Sequence, residues 1–489
     1  MNSSSIFVRP ACRLLALVLM WMVLATCGGS GGGSASTVSS AASSTANSTA
    51  SSSASGGASG GDMAAAVTES IPDASRLHTV TLDVSATDRR APFDVDRRLQ
   101  VPDGFGIRVV ARVPGARFLL VTPGNDILVS RPSSGQITLL RADAAGAVTQ
   151  SVFASGLSKP HDMVLVSLSG QWWLYVAESN RVTRAAYRPG DTTIGAQTVV
   201  VDGLPDESTP ELRGSYAHAL KNIAVSPSGA LYVSVASSCN ACVADDQAAM
   251  VRGAIYRYDA DGANGRLFAR GIRNAEGLDF VPGTERLWMA VNNRDNIAYP
   301  FDRDFDGDGV SDLGRVMPAY VQQEPPELFT EVLDGGRYGW PYCNAQSNAS
   351  LRDLTSVADH ALNAGSSRYD CAAVSPVRRG LPAHSAPLGF SFLQASKLPS
   401  PLNTGAAIAL HGCWNCTTAV GYKVIVMGFD GQGQPTDPQD VVTGFASSSS
   451  LGSAWGRPVD VAAWPGRGSL LISDDAAGAV YELAPTPTP

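Results

Sequence analysis

The feature that most constrains this 489-residue chain is a short unit that recurs from about residue 120 to its end. A Pro/Gly turn is followed by an alternating apolar run that closes on small or acidic residues. Thr122-Pro123-Gly124-Asn125-Asp126 leads into Ile127-Leu128-Val129-Ser130, and Ser226-Pro227-Ser228-Gly229 into Ala230-Leu231-Tyr232-Val233-Ser234. Val281-Pro282-Gly283 precedes Leu287-Trp288-Met289-Ala290-Val291, and Trp464-Pro465-Gly466 precedes Leu470-Leu471-Ile472-Ser473-Asp474. Trp172-Trp173-Leu174-Tyr175-Val176-Ala177 matches the strand part alone. A further strand such as Gly253-Ala254-Ile255-Tyr256-Arg257-Tyr258 completes a hairpin. Repetition of a small antiparallel sheet is the signature of a propeller. About 390 residues at roughly 45–65 per blade give six to eight blades. The expectation is an all-β chain folded as a six-bladed β-propeller of four-stranded antiparallel blades. With 49 glycines, 30 prolines and only 16% charged residues, the composition suits short strands and tight turns.

The N-terminal part cannot belong to that core. Arg9 and Arg13 precede the apolar run Leu14–Ala25, which is too short for a permanent span and suits a signal peptide over residues 1–26. The run ends Leu24-Ala25-Thr26-Cys27, which resembles a bacterial lipobox, with Thr26 a departure from its usual small residue. Cys27 is therefore the expected lipidation site, and ordinary secretion is the alternative. Residues 27–94 are expected to be a Gly/Ser/Ala-rich flexible tether and extension: residues 28 to about 62 bury too little to fold, and the stretch to about Asp94 is transitional. The propeller is then assigned to residues 95–489. Export places it in the periplasm or at the cell surface, attached to a membrane only through the N-terminal lipid.

Of eight cysteines, Cys12 leaves with the signal and Cys27 carries the lipid. Six remain, an even number that suggests disulfides in an exported chain. Spacing favours Cys239–Cys242 and Cys413–Cys416, and by elimination Cys343–Cys371. The two CxxC pairs also suit zinc. Neither is followed by His, so neither is a c-type haem site. A net charge of −8 without a basic stripe argues against nucleic acid. No Gly-x-Gly-x-x-Gly follows a strand, which argues against nicotinamide cofactors.

Six polar constellations stand at the ends of the repeating units. They are Ser215-Tyr216-Ala217-His218-Ala219-Leu220-Lys221-Asn222, Gly271-Ile272-Arg273-Asn274-Ala275-Glu276-Gly277-Leu278 and Gly335-Gly336-Arg337-Tyr338-Gly339-Trp340-Pro341. Next come Ser385-Ala386-Pro387-Leu388-Gly389, then His411-Gly412-Cys413-Trp414-Asn415-Cys416 with Gly421-Tyr422-Lys423-Val424, and last Trp455-Gly456-Arg457-Pro458-Val459-Asp460-Val461, leading to Ser473-Asp474-Asp475. In this order, over roughly residues 98–485, the chain resembles the soluble quinoprotein sugar dehydrogenases, especially their sorbosone dehydrogenase-like branch.

That resemblance implies a six-bladed propeller with pyrroloquinoline quinone (PQQ) over the channel mouth and a sugar as substrate. Hydride passes from the sugar C1 to the quinone C5, and electrons go on to a separate acceptor. His218 is placed as the general base, for which a neutral imidazole suits. Arg273, Asn274, Arg457 and Lys423 are placed as cofactor-binding residues, since a guanidinium fork matches the quinone's carboxylates. Asn292 and Asn293 fall where the family holds calcium. The branch has Arg where this chain has Cys416, a loss worth about 1–3 kcal/mol of cofactor affinity if the ion pair is buried.

A separate metal signal lies in an insertion near 300–325. Asp302-Arg303-Asp304-Phe305-Asp306-Gly307-Asp308-Gly309-Val310-Ser311-Asp312 sets oxygen ligands two residues apart round a glycine turn. It resembles the calcium loops of thrombospondin type 3 repeats and dockerins, with Asp304, Asp306, Asp308 and Asp312 as ligands of a structural calcium. Two other functions stay open for the whole chain: a calcium-dependent propeller lactonase, and a non-catalytic surface propeller that binds glycan or protein. A dehydrogenase requires His218 at the channel mouth beside Arg273, whereas a scaffold does not.

Overall fold

The computed structural model describes residues 76–486 except Ala145, Ala395, Ser400 and Pro401. The expected signal peptide, Cys27 and most of the tether lie outside the described residues.

Six four-stranded antiparallel sheets surround one axis, as the repeat implied. Blade 1 comprises Leu119–Val121, Ile127–Arg131, Gln136–Ala142 and Val148–Ala154, from the axis outward. Blade 2 runs from Met163–Leu168 to Gln197–Val201, and blade 3 from Asn222–Val225 to Arg266–Arg270. Blade 4 starts at Ala275–Phe280 and ends at Val377–Leu381, carrying the extra hairpin Cys343–Gln346 and Arg352–Ala358 on its outer edge. Blade 5 runs from Pro387–Phe392 to Pro435–Val442. Blade 6 takes Pro458–Trp464, Ser469–Asp474 and Ala479–Pro485 from the C-terminal end and its outer strand, Phe105–Arg112, from near the start.

The Pro/Gly motif now has a physical meaning. Its turn joins the first and second strands of a blade, closed by bonds such as Asn125 N to Thr122 O, Gly229 N to Ser226 O and Arg467 N to Trp464 O. The apolar run that follows is the second strand, which is sandwiched between neighbouring blades. Leu231–Val235 and Leu287–Val291 are buried at every position for that reason. Burying one Val, Leu or Ile side chain contributes about 1.5–3 kcal/mol, so these runs dominate the core. Outer strands such as Val148–Ala154 face water and carry polar residues.

Three carboxylates lie on the axis. Asp460 Oδ2 accepts from Leu119 N at 2.8 Å, Asp162 Oδ2 from Ile223 N at 2.9 Å and Asp279 Oδ2 from Phe392 N at 3.2 Å. Each belongs to an even-numbered blade and ties down the inner strand of the next one. Burial, with some mutual repulsion, raises Asp162 well above the usual range; burial lifts Asp279 and Asp460 to about 7.

The extension to residue 94 is ordered from Arg76 on. Leu77–Thr81 pairs with Arg98–Pro102, and Leu82 and Phe93 are buried against blade 6 and its neighbours. These apolar residues give the segment the core contacts that the Gly/Ser stretch lacks.

Phe93→Ala is expected to lower the unfolding free energy by about 3–5 kcal/mol in urea titration, and an unchanged midpoint would mean the segment is peripheral. The axial carboxylates give a pH test. Folding raises Asp279 from 3.8 to about 7, so its stabilising proton is lost as pH rises through about 7. In Asp279→Asn the decline of stability between pH 4 and 7 is expected to flatten.

Candidate functional site

At one mouth of the channel the loops that precede the first strands meet the loops that join second and third strands. They enclose a cavity of about 240 Å³ lined by His218, Arg273, Asn274, Asn292, Asn293 and Arg457. Arg117, Asp295, Glu327, His384, His411, Trp414 and Asn415 complete it. Phe118, Leu388 and Val459 form a small apolar cluster beneath it, which separates the mouth from the axial cavity around the three carboxylates.

His218 stands in the loop before Asn222–Val225. Its Nδ1 is 2.9 Å from Ser237 O and 3.0 Å from Ser237 Oγ. The carbonyl can only accept, so Nδ1 carries the proton and Nε2 keeps its lone pair. Burial, then the charge of Arg273, lowers its pKa to about 4, so the ring is neutral at physiological pH.

Arg273 is 5% exposed and spans the wall behind His218. Its Nη2 donates to Asp295 Oδ2 at 2.8 Å and to Asn240 Oδ1 at 3.0 Å. Asp295 also faces His384 Nδ1 at 3.5 Å, while His384 Nε2 donates to Val321 O at 2.6 Å. Burial would lower His384, but Asp295, Glu327 and the Val321 carbonyl outweigh it and raise its pKa. Burial would likewise raise Asp295; its bond to His384 and the Arg273 charge hold it below the usual range. Burial lifts Glu327 to about 7.

Two further guanidinium groups reach the cavity. Arg457 donates through Nε to His411 O at 3.1 Å and through Nη2 to Gly412 O at 2.7 Å. It makes no ion pair among the described residues, so its charge is not neutralised by a neighbouring carboxylate. Arg117 pairs with Asp475 at 3.0 Å and approaches Glu276 at 3.5 Å, and its Nε is buried without a partner. Asp475 in turn bonds His411 Nε2 at 2.9 Å. Asn292 Oδ1 is another buried atom without a partner. Asn293 is held through its side-chain amide by Pro326 O and through its backbone N–H by Glu327.

The structure thus gathers His218, Arg273, Asn274, Asn292, Asn293 and Arg457 in one cavity. Lys423 lies elsewhere: it begins the third strand of blade 5, and its ammonium is 2.6 Å from Asp440. Cys416 is bonded to Cys413, so that loop is structural, and Trp414 stands on it 67% exposed at the rim. All three expected disulfides are present, which displaces the zinc alternative. In the acidic insertion, Asp304, Asp306 and Asp312 bring carboxylate oxygens within 4.8 Å of one another. Asp308 is outside that group, and Arg315 pairs with Asp312.

Arg117, Asp295, Glu327 and His384 were not singled out in the sequence, whereas Asp475 closes the last constellation as Ser473-Asp474-Asp475. His384 directly precedes the Ser385-Ala386-Pro387 constellation and was findable there, but Arg117 and Asp295 stand in no pattern of their own.

A family model described as TrAA12-like matches residues 99–486. Among solved structures, the holo form of the PQQ domain of a pyranose dehydrogenase from Coprinopsis cinerea is 22% identical, with a TM-score of 0.63, covering 79% of this chain and 97% of that one. A calcium structure of the Trichoderma reesei Carbohydrate-Active Enzymes Family AA12 protein is 20% identical, with a TM-score of 0.64, covering 79% and 96%. At these identities the likeness establishes a shared fold. An uncharacterized protein of Borreliella burgdorferi is 25% identical over 221 residues, 44% of this chain, and the chain spans about half (48%) of that relative's length.

The imidazoles give a direct check on the electrostatics. In an NMR titration, with signals assigned by His218→Gln and His384→Gln, His218 is expected to stay neutral down to about pH 4. His384 is expected to titrate above the usual 6.5. A His218 that titrates near 6.5 would contradict the buried, Arg273-facing placement.

Proposed function

The chain belongs to the TrAA12-like family, and on that footing we propose that it is a quinone-dependent sugar dehydrogenase. It oxidises an aldose, or a sugar-derived aldehyde or alcohol, at C1 and passes electrons to a separate acceptor. The observation that carries this reading is a neutral, tautomer-fixed imidazole in one cavity with three guanidinium groups. That set suits a substrate hydroxyl beside a polyanionic cofactor.

The residues present fit the cofactor's chemistry. Arg457 has an unneutralised charge, Arg117 has a buried N–H without a partner, and Asn292 has a buried oxygen without one. The first two suit carboxylates and the third suits a hard cation. Arg457, Arg273, Arg117 and Asn274 would hold PQQ, and Asn292 with Asn293 would hold calcium. When bound, the quinone supplies a two-electron acceptor, and the calcium supplies fixed positive charge beside it. Arg117 brings a third guanidinium to the mouth, from the segment before blade 1.

His218 Nε2 takes the proton of the C1 hydroxyl. The Ser237 carbonyl fixes the ring and its tautomer, and the low pKa keeps Nε2 free at neutral pH. As the ring becomes charged, Asp295 favours the imidazolium. The disulfide-anchored loop carrying Trp414 and Asn415 walls one side of the cavity.

We further infer that Asp304, Asp306 and Asp312 hold a structural calcium that orders the insertion. The disulfides accord with the export inferred from the N-terminal sequence. For the loop, calcium is expected to raise the thermal midpoint, and Asp304→Asn with Asp306→Asn to remove most of that gain. An equal gain in the double variant would place the stabilising ion elsewhere.

The catalytic reading is tested by titrating the purified chain with PQQ in calcium, then following dye reduction with a panel of aldoses. Saturable binding is expected, with sugar-dependent reduction that His218→Ala abolishes while quinone binding persists. Arg457→Ala is expected to weaken quinone binding about 10–100-fold, the loss of a charged hydrogen bond. Absence of binding in the micromolar range would leave a tethered binding propeller instead.

A further inference from the structure

Beside the mouth lies a second cleft, of about 130 Å³, walled by Arg270, Arg337, Arg368, Trp340, Tyr342 and Tyr369, with Asp246 as its one acidic member. Asp246 is already engaged: Arg270 grips Oδ1, and Tyr342 donates to Oδ2 at 3.3 Å. Arg337 and Arg368 make no ion pair among the described residues, and the Arg337 guanidinium lies 6.0 Å from the Tyr369 ring centroid. Two guanidinium groups in excess therefore converge on one cleft of a chain whose net charge is −8.

The walls are built, not incidental. Arg270 and Arg337 lie in paired backbone segments, with Arg270 N bonded to Gly336 O and Tyr338 N to Arg270 O. Gly271 and Gly339 form the floor, where a Cβ on Gly271 would meet Gly339 N at 2.8 Å. The Cys343–Cys371 disulfide ties the segment behind Tyr342 to the one behind Tyr369. Asn363 Oδ1 accepts from Arg368 N at 2.8 Å and Tyr369 N at 3.0 Å, which fixes the second wall. A guanidinium held on a fixed backbone loses less freedom when it binds.

The cleft adjoins the mouth. Trp340 Nε1 donates to Asn240 O at 3.0 Å, and the same Asn240 binds Arg273 on the cavity side. Arg270 and Arg273 are three residues apart in one segment.

We propose that this cleft is an anion-binding subsite for the carboxylate or phosphate ester of an acidic saccharide whose neighbouring residue reaches the mouth. The guanidinium forks take the charged group, and the aromatic walls take the sugar's apolar edge. The proposal rests on the sugar-oxidising reading for its choice of saccharide, but its readout is binding by the quinone-free chain and not oxidation at the mouth.

The test is calorimetric titration of the quinone-free full chain with D-glucuronate, glucose 6-phosphate, glucose and inorganic phosphate at low ionic strength, where charge contacts are least screened. One or both charged sugars are expected to bind about tenfold or more tighter than glucose and inorganic phosphate, and which one does identifies the group. Arg337→Ala with Arg368→Ala should erase that preference, Arg337→Lys with Arg368→Lys should keep only part of it, and Arg457→Ala, which removes a mouth guanidinium that does not touch the cleft, should leave it intact. Because both arginines are exposed, the variants are expected to fold. The proposal is overturned if neither charged sugar binds saturably, if inorganic phosphate binds as well as both, or if the Arg337→Ala/Arg368→Ala variant keeps the preference, above all if Arg457→Ala removes it. Failure here leaves the PQQ titration untouched, and failure there leaves this anion preference measurable.

Discussion

The ring closes through one pairing. Phe105–Arg112 adds to Ala479–Pro485 along its whole length, so blade 6 is built from both ends of the domain. A propeller blade buries its faces only against neighbours, and an open ring would expose two of them. The closure is reinforced by Glu482, buried at 2% exposure between Arg108 at 2.6 Å and Arg467 at 2.8 Å. The mouth inherits this dependence. Arg117 enters from blade 1, His218 before blade 3, Arg273 before blade 4 and Arg457 before blade 6, so their convergence exists only in the closed ring.

Within the mouth, charge is distributed unevenly and to a purpose. On one side, Arg273, Asp295, His384 and Glu327 neutralise one another in a buried network that holds its members in place. On the other, the Arg457 guanidinium donates to the His411 and Gly412 carbonyls, lies over the Tyr422 ring and has no carboxylate partner among the described residues. His218 sits between, kept neutral by burial and Arg273 yet within reach of Asp295. The Ser237 carbonyl fixes its tautomer and leaves Nε2 unprotonated.

Much of this was legible in the sequence, for physical reasons that differ by element. Second strands announce themselves because they are buried on both faces and follow a Pro/Gly turn. Two lack the proline: Gln171–Ala177 in blade 2, which follows Ser169-Gly170 and is legible from its apolar run alone, and Ala406–Leu410 in blade 5, which follows Asn403-Thr404-Gly405 and is not. The closing strand could not be read, because its partner lies more than 360 residues away and no local pattern encodes that register. The ordered segment from Arg76 to Asp94 was hidden by its neighbour's composition, although Leu82 and Phe93 carry the signal. In the site, residues inside motifs were found, whereas Arg117 and Asp295 matter only through contacts with distant blades. Lys423 shows the converse: a basic residue within a motif that pairs with Asp440 across its own blade.

The central claim is that the mouth holds a quinone against His218. The most direct measurement is a crystal structure of the chain grown with PQQ and calcium. The account predicts the quinone over the channel, with its carboxylates on Arg457 and Arg273, calcium beside Asn292, and His218 Nε2 facing the space left for a sugar. A quinone bound away from this cavity, or a mouth closed to it with His218 turned into the core, would contradict the account.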